Sequence, residues 1–160
     1  MPTFERTTRI RAPLDEVWTF HSDPAGLVAL TPPWMRLRVE ATTGPDGEDD
    51  PAVLEEGARI VASVRPFGLG PRQRWVSEIL SRERDESHGS FTDEMVAGPF
   101  REWVHTHEFT ADGDETIVRD RVEYALPRPL PAALAPFAEI GFDSMFRHRH
   151  RKTAALLETD

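Results

Sequence analysis

Apolar and polar residues alternate at the start of the chain. Over residues 3–11, Phe4, Arg6, Thr8 and Ile10 fall on one side and Thr3, Glu5, Thr7, Arg9 and Arg11 on the other. That pattern predicts a first strand with one buried face. The period then changes. Leu14, Val17 and Trp18 stand at i, i+3 and i+4 behind Pro13, with Asp15 and Glu16 in the first turn, as a helix N-terminus favours. Ser22-Asp23-Pro24 breaks this helix, and a short second one carrying Leu27 and Leu30 stops at Thr31-Pro32-Pro33. Alternation returns over residues 34–42, with Met35, Leu37 and Val39 on one face. An acidic loop at 44–51 follows. Strand-like segments then succeed one another at 58–66, 72–81, 88–97, 101–111 and 116–126. Their separators are Phe67-Gly68-Leu69-Gly70-Pro71, a charged run, Gly98-Pro99 and Ala111-Asp112-Gly113-Asp114. Short strands in series joined by tight turns predict an antiparallel meander. After Pro127, Pro129 and Pro131, a long helix is predicted over Ala135–Leu157, with Leu134, Ala138, Phe142, Met145 and Leu156 as its apolar face.

The predicted class is α+β. A seven-stranded antiparallel sheet with one apolar face must cover that face, and the C-terminal helix is the only element long enough to do it. A strongly twisted sheet curled around one helix leaves space between them, the usual place for a ligand.

Composition narrows the function classes. A chain of 160 residues fits one domain, 1–160, with a substantial core. No run approaches the ~18 apolar residues of a membrane span, and the charged N-terminus lacks the apolar stretch of a signal peptide. A cytoplasmic protein with no membrane insertion is therefore expected. Cysteine is absent, which excludes disulfides, thiolate catalysis and Cys-ligated zinc. The net charge of −9 argues against nucleic acid as a partner. Lys152 is the only lysine; a high-salt cytoplasm and a codon-biased genome explain that equally well.

The candidate chemistry sits on two neighbouring strands. Trp103, His105, His107 and Phe109 share a face, and Glu102, Val104, Thr106 and Glu108 share the other, which suits water. On the last strand Val118, Asp120, Val122 and Tyr124 should point inward. A hairpin near Asp112-Gly113-Asp114 puts Asp120 opposite His105 or His107, depending on one register step. Three readings compete for these residues. They form a structural buried polar pair; or they orient a ligand or move a proton; or His-x-His with Asp120 binds a metal, for which no clear fourth ligand exists. Asp93 approaches the same histidines if the Gly98-Pro99 turn gives it inward parity. Arg149, on the helix face of Met145 and Leu156, either bridges to a sheet carboxylate or anchors an anionic head group. Gly141, costly in mid-helix, makes room for a ligand or a ring, or packs closely on the sheet. His148 and His150 among Arg147, Arg149 and Arg151 read as a solvated helix end.

The segment Ile10-Arg11-Ala12-Pro13-Leu14-Asp15-Glu16-Val17-Trp18, followed by Ser22-Asp23-Pro24, resembles the opening of the START-like, helix-grip (SRPBCC) superfamily. Phe91-Thr92-Asp93-Glu94, the run from Gly98-Pro99-Phe100 to Phe109, residues 120–127 and Phe146-Arg147-His148-Arg149 are similar to its ligand-binding polyketide cyclase/dehydrase-like subgroup. His148 departs from that subgroup, which tends to carry tyrosine there. The resemblance implies the fold and a pocket for a small hydrophobic or aromatic ligand, without a cofactor or a metal. It does not imply a reaction. The expected pocket walls are Trp103, Phe109, Tyr124, Phe137, Gly141 and Met145, with His105, His107 and Asp120 as the polar end and Arg149 near it. The alternatives are a cyclase, dehydratase or hydrolase using a His–Asp pair, with His105, His107 and Asp120 catalytic, and a cochaperone-like interaction module. The oligomeric state is left open.

Overall fold

A computed structural model describes residues 1–127 and 129–158, the side chain of Ala132 excepted. The expected domain extends two residues past this range. Along the chain run β1 (Thr3–Ile10), α1 (Leu14–Ser22), α2 (Pro24–Leu30), β2 (Arg38–Thr43), β3 (Arg59–Val64), β4 (Gln73–Arg84), β5 (His88–Ala97), β6 (Glu102–Asp112), β7 (Glu115–Ala125) and α3 (Ala135–Leu157). The strands form one seven-stranded sheet in the order β1-β7-β6-β5-β4-β3-β2. Every pairing is antiparallel. Register shifts interrupt β2 against β3 and, twice, β4 against β5. Such bulges bend and twist a sheet, and here the sheet carries α3 on its inner face. This is the helix-grip architecture read from the sequence.

The inner face holds two clusters. Ile10, Val17, Trp18, Phe91, Phe109 and Val118 join under α1, while Phe4, Val122, Tyr124, Phe142 and Phe146 join under the first half of α3. Trp18 meets Phe91 and Phe109 edge-on, with ring centroids 6.1 and 5.8 Å away. Its ring also lies on the backbone of Gly89, where an added Cβ would sit 2.7 Å from the indole. Only glycine lets helix and strand approach so closely.

Several elements depart from the expected pattern. Residues 33–35 form a 3-10 turn ending in left-handed Arg36, so β2 begins at Arg38 rather than 34. Pro32 and Pro33 explain the difference, because they preset turn dihedrals and donate no ladder hydrogen bond. Leu134 precedes α3 as its N-cap, and Leu156 is half exposed. The buried face of α3 runs instead through Ala135, Phe142, Phe146, Arg149, His150 and Thr153. His150 is therefore core, only 3% exposed, and not part of a solvated helix end.

Candidate functional site

Between α2, the sheet and α3 lies a cavity of about 410 Å³. Its wall is aromatic and aliphatic over most of its extent, with Trp75, Phe91, Phe100, Trp103, Phe142 and Phe146 as the large contributors. The polar lining includes His105 and His107 on β6, Asp93 on β5, His21 on α1 and Arg149 on α3, together with Asp23, Thr31, Gln73 and Ser77. A second depression is a surface groove lined by Arg36, Arg38, Arg65 and Arg72 together with Phe67 and Pro71.

The strand period builds the polar end. His105 and His107 are two residues apart on β6 and both point inward, their ring centroids 3.6 Å apart. Across one edge of β6, Asp93 pairs with His105; across the other, Asp120 pairs with His107. The hydrogen bonds run diagonally to that register. His105 Nε2 lies 2.7 Å from Asp120 Oδ1, and His107 Nε2 lies 2.8 Å from Asp93 Oδ2. Ser77 donates to Asp93 Oδ1 at 2.9 Å. His150 reaches down from α3 to Asp120 Oδ2 at 2.5 Å, its other ring nitrogen 2.6 Å from Thr8 Oγ1. Each oxygen of both carboxylates thus has a protein partner, which a buried carboxylate requires.

Protonation follows from these contacts. Burial alone would raise Asp120, but hydrogen bonds from His105 and His150 and the close approach of His107 outweigh it and hold its pKa well below the ordinary value. Asp93 is lowered in the same way, with burial outweighed by His107, His105 and Ser77. Both are ionised, so the ring nitrogens facing them carry protons. Burial and the neighbouring His107 push His105 down despite Asp120. Its Nδ1, 4.0 Å from Asp93 Oδ2, is then the bare nitrogen of a neutral imidazole. Burial also opposes charge on His107, yet its hydrogen bond with Asp93 and the nearby negative charge of Asp120 prevail and raise its pKa. Its Nδ1 is 3.3 Å from Asp120 Oδ1 but outside hydrogen-bonding geometry.

His21, which the sequence reading passed over, also lines this cavity. Its Nδ1 donates to the Val17 carbonyl at 2.8 Å, one helical turn back. Burial drives its pKa down to about 3. The folded protein therefore keeps His21 neutral while the unfolded chain takes up its proton below about pH 6.5. The folded value is the lower one, so the unfolded state binds more protons and stability falls as pH falls from 6.5 toward 3, by at most about 1.4 kcal/mol per pH unit for one group. Urea unfolding between pH 7 and 4.5 checks this: His21→Phe should show a shallower acid loss than wild type, and parallel profiles would contradict it.

Arg149 is buried, 9% exposed, and lines the same cavity. Burial lowers its pKa, partly offset by the fields of Asp120 and Asp93. The guanidinium is 5.9 Å from the Phe146 ring centre. Its Nε has neither solvent contact nor a hydrogen-bond partner. The expected salt bridge to Asp120 or Asp93 is not formed within 4.0 Å among the described residues, because histidines and Ser77 already occupy those oxygens.

Of the expected wall, Trp103, Gly141 and Met145 line the cavity with His105, His107 and Arg149. The other residues stand elsewhere. Asp120 lies behind the histidine rings, 4% exposed and off the cavity surface. Phe109 is fully buried at the far end of β6, packed on Trp18 and His21. Tyr124 forms a second layer: Phe142 covers it edge-on, and its hydroxyl donates to the Ala135 carbonyl at 3.2 Å and lies 3.1 Å from Glu139. Phe137 is 70% exposed, since five residues before Phe142 is a turn of about 140° away from the buried face of α3. A Cβ at Gly141 would meet nothing within 4 Å, so this glycine leaves open space and does not pack closely on the sheet. Asp93, His105 and His107 each offer one donor atom within 4.8 Å of the others, a set that could hold a cation. The third member is Asp93, not Asp120.

A family model described as polyketide cyclase / dehydrase and lipid transport matches residues 1–158. No curated protein sequence matches the chain significantly. Among solved structures, protein CV1439 from Chromobacterium violaceum is similar over 99% of this chain and 98% of its own, at 17% identity and a TM-score of 0.68. A START superfamily protein from Mycobacterium smegmatis is similar over 97% of this chain and 96% of its own, at 11% identity and a TM-score of 0.67. Norcoclaurine synthase from Thalictrum flavum, in complex with dopamine and hydroxybenzaldehyde, is similar over 99% of this chain and 89% of its own, at 16% identity and a TM-score of 0.64. At these identities the structures share a fold. The family match over nearly the whole sequence, together with the helix-grip sheet and its α3-covered cavity, makes this chain a member of the polyketide cyclase/dehydrase and lipid transport family.

Proposed function

We propose that the protein binds a small, largely apolar or aromatic molecule in the cavity between the sheet and α3. The observation that carries this reading is the cavity itself. About 410 Å³ of space is walled mainly by aromatic and aliphatic side chains, with a smaller set of polar groups among them. This is the ordinary design of a small-molecule site, where apolar area supplies affinity and a few polar groups orient the ligand. A cochaperone-like module would instead fill its cup with side chains. Titration with 2-naphthol, followed by amide chemical shifts, tests the reading: perturbations should cluster on β5, β6 and α3 around the cavity. Shifts scattered over the surface would contradict it.

One observation favours a second reading, an enzyme. Neutral His105 is oriented by ionised Asp120 through Nε2–H, which leaves a basic Nδ1 on the side of the cavity residues. That arrangement suits a general base acting on a bound carbonyl compound. His105 would take a proton from the carbon beside the carbonyl, and the resulting enolate would recover one from the imidazolium. 2-Tetralone in deuterium oxide is a suitable probe. Wild type should accelerate α-hydrogen exchange at least ~10-fold over His105→Gln. Equal rates would leave binding as the only function.

A further inference from the structure

Arg149 is a cation at the site that has no ion-pair partner among the described residues. It projects from the buried face of α3 among residues that line the cavity, and it is more than nine-tenths buried. Its Nε has no partner and no solvent contact, and among the described residues no carboxylate lies within ion-pair distance of the guanidinium. The two nearby acids cannot be recruited without breaking other bonds. Asp120 is held by His105 and His150, and Asp93 by His107 and Ser77. A buried cation without an ion-pair partner is costly, and an arginine kept in that state is open to a partner from outside the chain. The other polar groups that line the cavity sharpen the choice. His21 has its proton engaged at Val17 and His105 at Asp120, and the ionised Asp93 in the lining is already held by His107 and Ser77.

We infer that the ligand of this cavity is an amphiphilic carboxylate: an aromatic or aliphatic body against the aromatic wall, and one carboxylate paired with the Arg149 guanidinium. The planar fork of arginine matches a carboxylate through two parallel hydrogen bonds, and the low-dielectric surroundings strengthen the pair. A neutral ligand of the same shape gains the apolar contacts but leaves the guanidinium unpaired. This inference rests on the binding function proposed above and adds the ligand's charge to it.

Paired calorimetric titrations test it, using 2-naphthoate and its neutral counterpart 2-naphthalenemethanol. Wild type should bind the carboxylate at least ~10-fold more tightly than the alcohol, the difference made by one charge-assisted pair. Arg149→Met should bind the two within about threefold of each other; Arg149→Gln serves if the first variant does not fold. Equal affinities in wild type, or a preference that survives in either variant, would overturn the inference while leaving the binding function intact. Failure of both probes to bind wild type would remove that function and the inference with it.

Discussion

Replacing Asp120 with alanine is expected to destabilise the fold by about 3–5 kcal/mol, the scale of breaking a buried charge pair from one side. Asp120 is the hub of the buried network. Its Oδ1 holds His105 at 2.7 Å, its Oδ2 holds His150 at 2.5 Å, and its field opposes the desolvation of Arg149. Those contacts tie β6, β7 and α3 together, so the loss reaches the grip of the helix on the sheet. In Asp120→Ala two ring N–H groups lose their acceptor at a position that is only 4% exposed, and the cationic groups are left facing Asp93 alone. Asp93→Ala should cost less, because that side chain is partly exposed to the cavity, where solvent can replace it. Urea unfolding at pH 7 measures both. A loss under about 1 kcal/mol for Asp120→Ala would mean that the histidines do not depend on it.

Filling the cavity should have the largest effect on binding. Met145 lines it from α3, one turn before Arg149. Met145→Trp puts a rigid ring where the ligand body would lie, and overpacking is limited because Met145 faces the cavity. The affinity for the neutral probe N-phenyl-1-naphthylamine should fall at least ~10-fold, with the fold retained by circular dichroism. An unchanged affinity would place the probe outside the cavity.

Much of this architecture is legible in the sequence. Strands with one buried face write a period of two, and Trp103 to Phe109 on β6 and Val118 to Tyr124 on β7 obey it. The predicted span of α3 is the observed one, Ala135–Leu157. The convergence of His105, His107 and Asp120 followed from the same parity. What parity does not supply is the third dimension. It could not say that Asp120 bonds diagonally to His105 while facing His107 across the ladder. It left Asp93 undecided, because the β5–β6 connection opens well before Gly98-Pro99: the last paired residues are Glu94 and Val104. His150 was hidden by its charged neighbours, although it stands at i+4 from Phe146 on the buried face, a count that would have found it. His21 was likewise at i+3 from Trp18. Phe137 shows the opposite error, in which an apolar side chain suggests burial and helix geometry turns it outward. Arg149 was placed near the pocket by its helix face. Its lack of an ion-pair partner depends on where four carboxylate oxygens are spent, which no linear pattern records.

The central claim is that the space between the sheet and α3 is a binding site. Trp75, Trp103 and Trp34 all line it, so excitation of the tryptophans can report a fluorescent ligand held there. Titration of the wild-type protein with N-phenyl-1-naphthylamine, read as energy transfer from tryptophan, tests the claim most directly. A site between the sheet and α3 gives a saturable signal at one probe per chain. A signal that rises without saturating would contradict it.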